Sequence, residues 1–222
     1  MPRPVLRIGW IAAQAAGRRV LDLGAYDEKS LIKQETPFWL HRKLAETAAS
    51  VIGIDSSDKL PPEGLVTSGC SRILRGDIFN LKEAAQRHEI DLIVAGEVVE
   101  HIPNALDFLK YLKSVKEFQE KRLILTTPNA TAWHNIFLGL WSRESCHEDH
   151  LQVYSYKTLN TLCARAGFRE WKMIPYYSLF SELLLRARGI LRAGVMLSEK
   201  ITQAIEWAVP LWSGGWIVDV TI

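Results

Sequence analysis

Four side chains in the middle of the sequence have the makings of a reactive centre. Glu97, Glu100 and His101 fall within one helical turn or so of each other, and His150 follows Asp149 further along. If the first segment is helical, the three side chains project from one face. Two carboxylates at that spacing repel each other unless a proton or a cation lies between them. Carboxylate oxygen mixed with imidazole nitrogen suits Mg²⁺, Mn²⁺ or Fe²⁺, and Zn²⁺ is compatible. A metal there would acidify a bound hydroxyl. Without a metal, His101 is the best candidate for a catalytic base, with Glu97 and Glu100 as acid–base or orienting partners. A plainer arrangement also fits: an i,i+4 pair of Glu97 with His101, a solvated Glu100, and His150 capping a loop. The spacing alone leaves all three open.

A second set of residues stands at the ends of short apolar runs. Val20-Leu-Asp-Leu-Gly24 ends in a glycine, which lets the backbone turn sharply and approach a ligand closely. Val51-Ile-Gly-Ile-Asp55 ends in a carboxylate able to accept hydrogen bonds from both hydroxyls of a ribose. Gly76-Asp77 closes a third run and would suit the exocyclic amine of an adenine. Any one such Asp is as well explained by helix capping. Three in register along one alternating pattern are not.

That pattern decides the fold class. Arg19–Leu23, Val51–Ile54, Ser71–Leu74, Ile90–Ala95, Leu123–Thr127, Phe168–Ile174 and Gly215–Thr221 read as strands. Helical spacing runs through Trp10–Ala16, Phe38–Ala49, Leu81–His88, Asn104–Lys116 and Tyr156–Ala166, with Asn104 and Ser155 as N-caps and Gly167 as a left-handed stop. Strands alternating with helices imply a doubly wound α/β domain, Rossmann-like, with a mostly parallel sheet covered on both faces. Such sheets bind ligands at the carboxyl ends of their strands, where the acids and glycines above are found. The length, 222 residues, suits a single domain over 1–222.

Val20–Gly24, Ile52–Asp55, Gly76-Asp77 and Asp91–Val94 follow the order and spacing of class I S-adenosylmethionine (SAM)-dependent methyltransferases. Gly96-Glu-Val-Val-Glu-His-Ile-Pro103, Leu125–Asn129 and the segment from Asp149-His150 to Ala166-Gly-Phe168 resemble the branch with the ubiquinone-pathway O-methyltransferases and relatives acting on sugars and lipids. The resemblance spans roughly residues 19–174 and implies a seven-stranded sheet with an antiparallel last strand, and SAM as cofactor. It implies that Asp22, Gly24, Ala25 and Tyr26 surround the methionine end, that Asp55 and Ser56 take the ribose side, and that Asp77 and Ile78 flank the adenine. Gly96 and Glu97 would line the space beside the sulfonium. Glu97, Glu100, His101 and His150 are also similar to the metal site of small-RNA 2′-O-methyltransferases. The chain departs from the family after Gly24, reading Ala25-Tyr-Asp-Glu28 where further glycines usually follow. Either the loop takes another path with Tyr26 over the cofactor, or the chain is a binding protein that has lost SAM.

Composition narrows the partners. A formal charge of +2 with no basic run argues against a nucleic-acid groove, which weakens an RNA 2′-hydroxyl as acceptor and favours a small hydroxylated molecule such as a sugar, polyol, lipid or quinone precursor. Cys70, Cys146 and Cys163 form no disulfide framework, and residues 1–7 lack the apolar core of a signal peptide; both fit a cytoplasmic protein. Residues 175–212 read as a helical cap over the acceptor, with Tyr176, Tyr177 and Trp207. Leu179–Leu197 is too charged to span a membrane but suits a peripheral membrane or homodimer contact. Trp133, His134 and Trp141 could stack on an acceptor or belong to the core.

Overall fold

The computed structural model describes residues 1–26 and 36–222. Its strands are β1 (Arg19–Leu23), β2 (Ser50–Asp55), β3 (Leu65–Ser68), β4 (Ser71–Arg75), β5 (Leu92–Gly96), β6 (Arg122–Pro128), β7 (Trp171–Tyr176) and β8 (Gly215–Thr221). They form one sheet in the order β3-β4-β2-β1-β5-β6-β8-β7. The pairs among β4, β2, β1, β5 and β6 are parallel. Strand β8 lies antiparallel between β6 and β7, as the resemblance implies for a last strand.

Alternate residues of the central strands point to opposite faces, and each face has its own core. Val20, Val94 and Ile124 pack with Ile11 and Ala15 of α1 (Arg7–Ala15) and Leu44 of α2 (Leu40–Thr47). Leu21, Leu23, Ile93 and Leu125 pack on the other side, which also carries α3 (Lys82–Arg87), α4 (Ala105–Ser114) and α6 (Tyr156–Arg165). Phe108 of α4 is fully buried there, so truncation to alanine would cost about 3–5 kcal/mol. Asn104 accepts from the Asp107 backbone N–H at 3.2 Å, and Ser155 forms a reciprocal capping box with Thr158. Gly167 takes φ +80°, the left-handed conformation that ends α6 without a Cβ penalty.

Among the described residues the sheet has eight strands rather than seven. The extra one, β3, turns back antiparallel on β4 at the edge. It covers only Leu65–Ser68 and is half exposed, too short for a period-two signal beside the Pro61-Pro62 loop. Strand β7 begins at Trp171 rather than Phe168. After β6 comes α5 (Trp133–Gly139), and between β7 and β8 come α7 (Ser181–Arg186), α8 (Gly189–Ala208) and a 3₁₀ turn over Pro210–Trp212.

Candidate active site

A hollow of about 680 Å³ opens at the carboxyl ends of β1, β2, β4 and β5. Its wall includes Asp22, Gly24, Ala25, Tyr26, Asp55, Ser56, Asp77, Ile78 and Gly96, so every residue expected around the cofactor reaches one cavity. Gly24 is required on two counts. It sits at φ +69°, and a Cβ there would come within 2.5 Å of Val98 Cγ2. Tyr26 lines the wall and leaves the hollow open; Glu28 lies outside the described residues.

The acids are held in place by backbone donors. Asp55 Oδ2 accepts from Tyr26 N and Oδ1 from Ser57 N, each at 2.9 Å. Burial raises the Asp55 pKa, while these N–H groups oppose the shift and the Asp22 charge adds to it. Each oxygen keeps a lone pair free for a ribose hydroxyl. Asp77 Oδ1 accepts from Phe79 N at 2.8 Å.

Two residues of this site give no signal in the sequence. His41, fully buried on α2, places Nδ1 2.9 Å from Asp22 Oδ2 and Nε2 3.0 Å from Thr67 Oγ1. Trp39 donates its indole N–H to the Ala25 carbonyl at 3.0 Å, pinning the loop after Gly24. Their spacing along Phe38–Ala49 reads as an ordinary amphipathic helix. A histidine on such a face is usually a core residue, and its acidic partner is visible only in three dimensions.

Beyond Gly96 the expected helical face does not form. Ile102 precedes Pro103, which disfavours the helical conformation, and it is extended at φ −90°, ψ 126°. Only Val99–His101 makes a turn, of 3₁₀ type, and Glu97 sits before it at φ +58°. A non-glycine residue in that region stores strain that surrounding contacts must hold. Glu97 N donates to Thr126 O and Oγ1 at 3.1 Å. Its Oε1 accepts from the Thr126 hydroxyl at 2.8 Å and the Tyr176 hydroxyl at 2.9 Å, with Arg7 Nη1 at 3.5 Å. Burial first, then the Glu97 charge, pushes the Tyr176 pKa well above its usual value.

The turn therefore separates the four side chains. Glu100, His101 and His150 bring one ligand atom each within 4.8 Å of one another, while Glu97 faces Thr126 and Tyr176. Glu100 is 1% exposed, and among the described residues neither carboxylate oxygen has a hydrogen-bond partner. Burial, aided by the Glu97 charge, pushes its pKa up to about 9. Backbone N–H groups of Leu151 and Gln152 both donate to the Glu100 carbonyl, at 2.9 and 3.1 Å, and so fix the loop that carries His150. The His101 and His150 rings lie 4.7 Å apart, and burial lowers the His150 pKa. A buried, unpartnered carboxylate beside two imidazoles fits a divalent cation.

Trp133, His134 and Trp141 are not among the residues that line the hollow, and Trp141 is exposed. Tyr176 and Tyr177 line it, joined by Leu179, Ser181 and Glu182; Trp207 instead packs beneath the Arg3 guanidinium.

Residues 1–172 match the family described as Methyltransferase domain. Among curated proteins none matches. Solved structures share the fold. A SAM-dependent methyltransferase from Archaeoglobus fulgidus is 14% identical with TM-score 0.53, over 97% of this chain and 94% of that one. Magnesium protoporphyrin IX methyltransferase from Synechocystis PCC 6803, with bound S-adenosylhomocysteine, is 16% identical with TM-score 0.53, over 96% and 78%. The small RNA methyltransferase HEN1 is 15% identical with TM-score 0.59, over 97% of this chain but 24% of that one. The chain belongs to the methyltransferase-domain family and shares the fold of SAM-dependent methyltransferases.

Proposed function

We propose that this methyltransferase methylates a hydroxyl of a small acceptor, in a single domain whose 175–212 segment caps the acceptor side. The observation that carries the reading is the position of the Glu100–His101–His150 group beside a hollow into which all the strand-end acids and glycines converge. SAM, when bound, would supply an electrophilic methyl group to the acceptor oxygen, a C–O bond forming in line as the C–S bond breaks and its electron pair leaves with sulfur. The hollow falls within the usual range of about 300–1,000 Å³ for such ligands. Asp55 and Ser56 would hold the ribose, Asp77 and Ile78 the adenine, and Asp22 with Gly24–Tyr26 the methionine end.

Much of the acceleration in such a transfer comes from positioning, and an aliphatic hydroxyl also needs its proton weakened. Glu100, His101 and His150 would hold a divalent ion of the Mg²⁺, Mn²⁺ or Fe²⁺ kind, which when bound acidifies the acceptor hydroxyl. His101 stands at the exposed rim of the hollow with Nδ1 3.2 Å from the Asp149 carbonyl, and in a metal-free enzyme it would take the acceptor proton itself. Glu97 and Tyr176 form the wall beside Gly96, where they would exclude water from the reacting atoms.

Calorimetric titration with S-adenosylhomocysteine tests the cofactor half of this reading, and saturable binding is expected. No binding at high micromolar ligand would overturn it. Assaying transfer to sugars, polyols, phenols and a single-stranded RNA in parallel tests the acceptor half. Turnover confined to RNA would assign the same Glu/His group to a 2′-hydroxyl instead.

A further inference from the structure

Helix α8 is turned inside out. The face packed on the domain is polar: Thr202 and Glu206 are buried. The Glu206 carboxylate accepts from Ser178 N at 3.1 Å and Ser178 Oγ at 2.6 Å, and Glu199 Oε2 accepts from Phe180 N at 2.8 Å. The opposite face is apolar and bare. Ile190 is 93% exposed, and Leu197 and Ile201, at helical spacing from it, are exposed as well. Leu191 and Met196 extend this surface to either side, with Ser198 and Lys200 among them. A helix packed on a domain and bathed in water carries the reverse pattern.

Charge follows the same division. Arg186, Arg188, Arg192 and Lys200 are exposed, and among the described residues they form no salt bridge. Of the carboxylates between 179 and 209, Glu199 and Glu206 are engaged inward and Glu182 lines the active-site hollow. Further apolar groups lie at the same end of the sheet. Strands β6 and β7 both run antiparallel to β8, so α5, which follows β6, emerges at the same end as the insertion that follows β7. Its Ile136 and Phe137, and the following Leu140 and Trp141, are exposed.

We infer that this face docks in the plane of an anionic lipid bilayer, with Ile190, Leu197 and Ile201 in the interface and the arginines on the headgroups. No described helix is long and apolar enough to cross a membrane, so the contact is interfacial. The apolar arc is broader than the narrow stripe with which two helices pair, whereas a broad apolar face flanked by Arg and Lys suits an acidic lipid surface. Tyr177 and Leu179 line both the active-site hollow and a second hollow of about 650 Å³ against α8, with Leu6, Ala204 and Trp207. The active-site hollow and the hollow against α8 thus share a wall. On the methyltransferase reading, on which this corollary rests, the acceptor is a membrane-borne amphiphile whose hydroxyl lies near the headgroups.

Cosedimentation of the full chain with phosphatidylcholine vesicles, with and without phosphatidylglycerol, tests the docking. Binding that requires phosphatidylglycerol is expected. Ile190→Asp/Leu197→Asp should abolish it, and Arg188→Gln/Arg192→Gln should weaken it by about tenfold or more. Thermal unfolding of the variants is expected to match the parent, since the altered side chains face outward. Absence of vesicle binding overturns the inference, as does binding unaffected by the Asp pair. A concentration-dependent dimer that binds no vesicles and is broken by the same pair would assign the face to a second copy of the chain. Vesicle binding without S-adenosylhomocysteine binding would leave the docking intact and remove only the acceptor corollary.

Discussion

The Asp22 carboxylate, on the floor of the cofactor hollow, and the His41 imidazole, on α2, lie 2.9 Å apart with both side chains out of contact with water. His41 passes the contact on to Thr67 of the edge strand β3, and its ring lies 5.5 Å from that of Trp39. The relationship ties the orientation of an acid lining the hollow to a helix and to an outer strand at once.

His41→Phe therefore leaves a buried carboxylate short of a partner. We expect a loss of about 1–3 kcal/mol in denaturant unfolding, together with weaker S-adenosylhomocysteine binding by calorimetry. Thr67→Val, one step further out, should change binding less than His41→Phe does. Equal effects from the two would show that the relay does not act through Asp22.

Gly24→Ala combines a Cβ within 2.5 Å of Val98 with a φ of +69°. The turn after β1 must shift, and S-adenosylhomocysteine binding should be lost while far-ultraviolet circular dichroism stays that of the parent. Val98→Ala added to it removes the clash but not the backbone strain, so only partial recovery is expected.

Alanine at Glu100 or His101 should abolish methyl transfer and its dependence on divalent ions together. Glu100→Gln should also raise the melting temperature of the metal-free protein at neutral pH, because burial makes the parent take up a proton on folding that the amide does not need. Full activity of the parent in excess chelator would remove the metal and leave His101 as the base.

Glu206 supplies a pH dependence outside the hollow. Burial pushes its pKa up to about 7 from an ordinary 4.5, against the pull of Ser178 and the Gly214 N–H. The folded state holds this proton more tightly than the unfolded one, so the group's contribution to stability is complete below about pH 4.5 and is lost as pH rises toward 7. Comparing melting temperatures of parent and Glu206→Gln across that window should show the parent falling relative to the variant as pH rises, with a constant gap above it.

The strand-end residues were legible because type and position spoke together: a carboxylate or glycine directly after an apolar run has few structural reasons to be there three times over. Asn104, Ser155 and Gly167 were legible for the same reason, being local signals of helix ends. His41 and Trp39 were hidden because their function depends on partners in other elements and not on their own neighbours. Glu97 does not share one helical face with Glu100 and His101, because it stands at φ +58° ahead of a single 3₁₀ turn that ends before Pro103. Strand β3 was invisible because four half-exposed residues carry no period.

Strands β7 and β8 are neighbours in the sheet, with Tyr176 opposite Gly215, so the segment from 177 to 214 leaves and re-enters at a single gate. The strands close that gate whatever lies beyond it, and the entropy of a longer or shorter excursion changes only slowly with length. One family scaffold can therefore exchange this module for another without disturbing the strand ends that line the hollow.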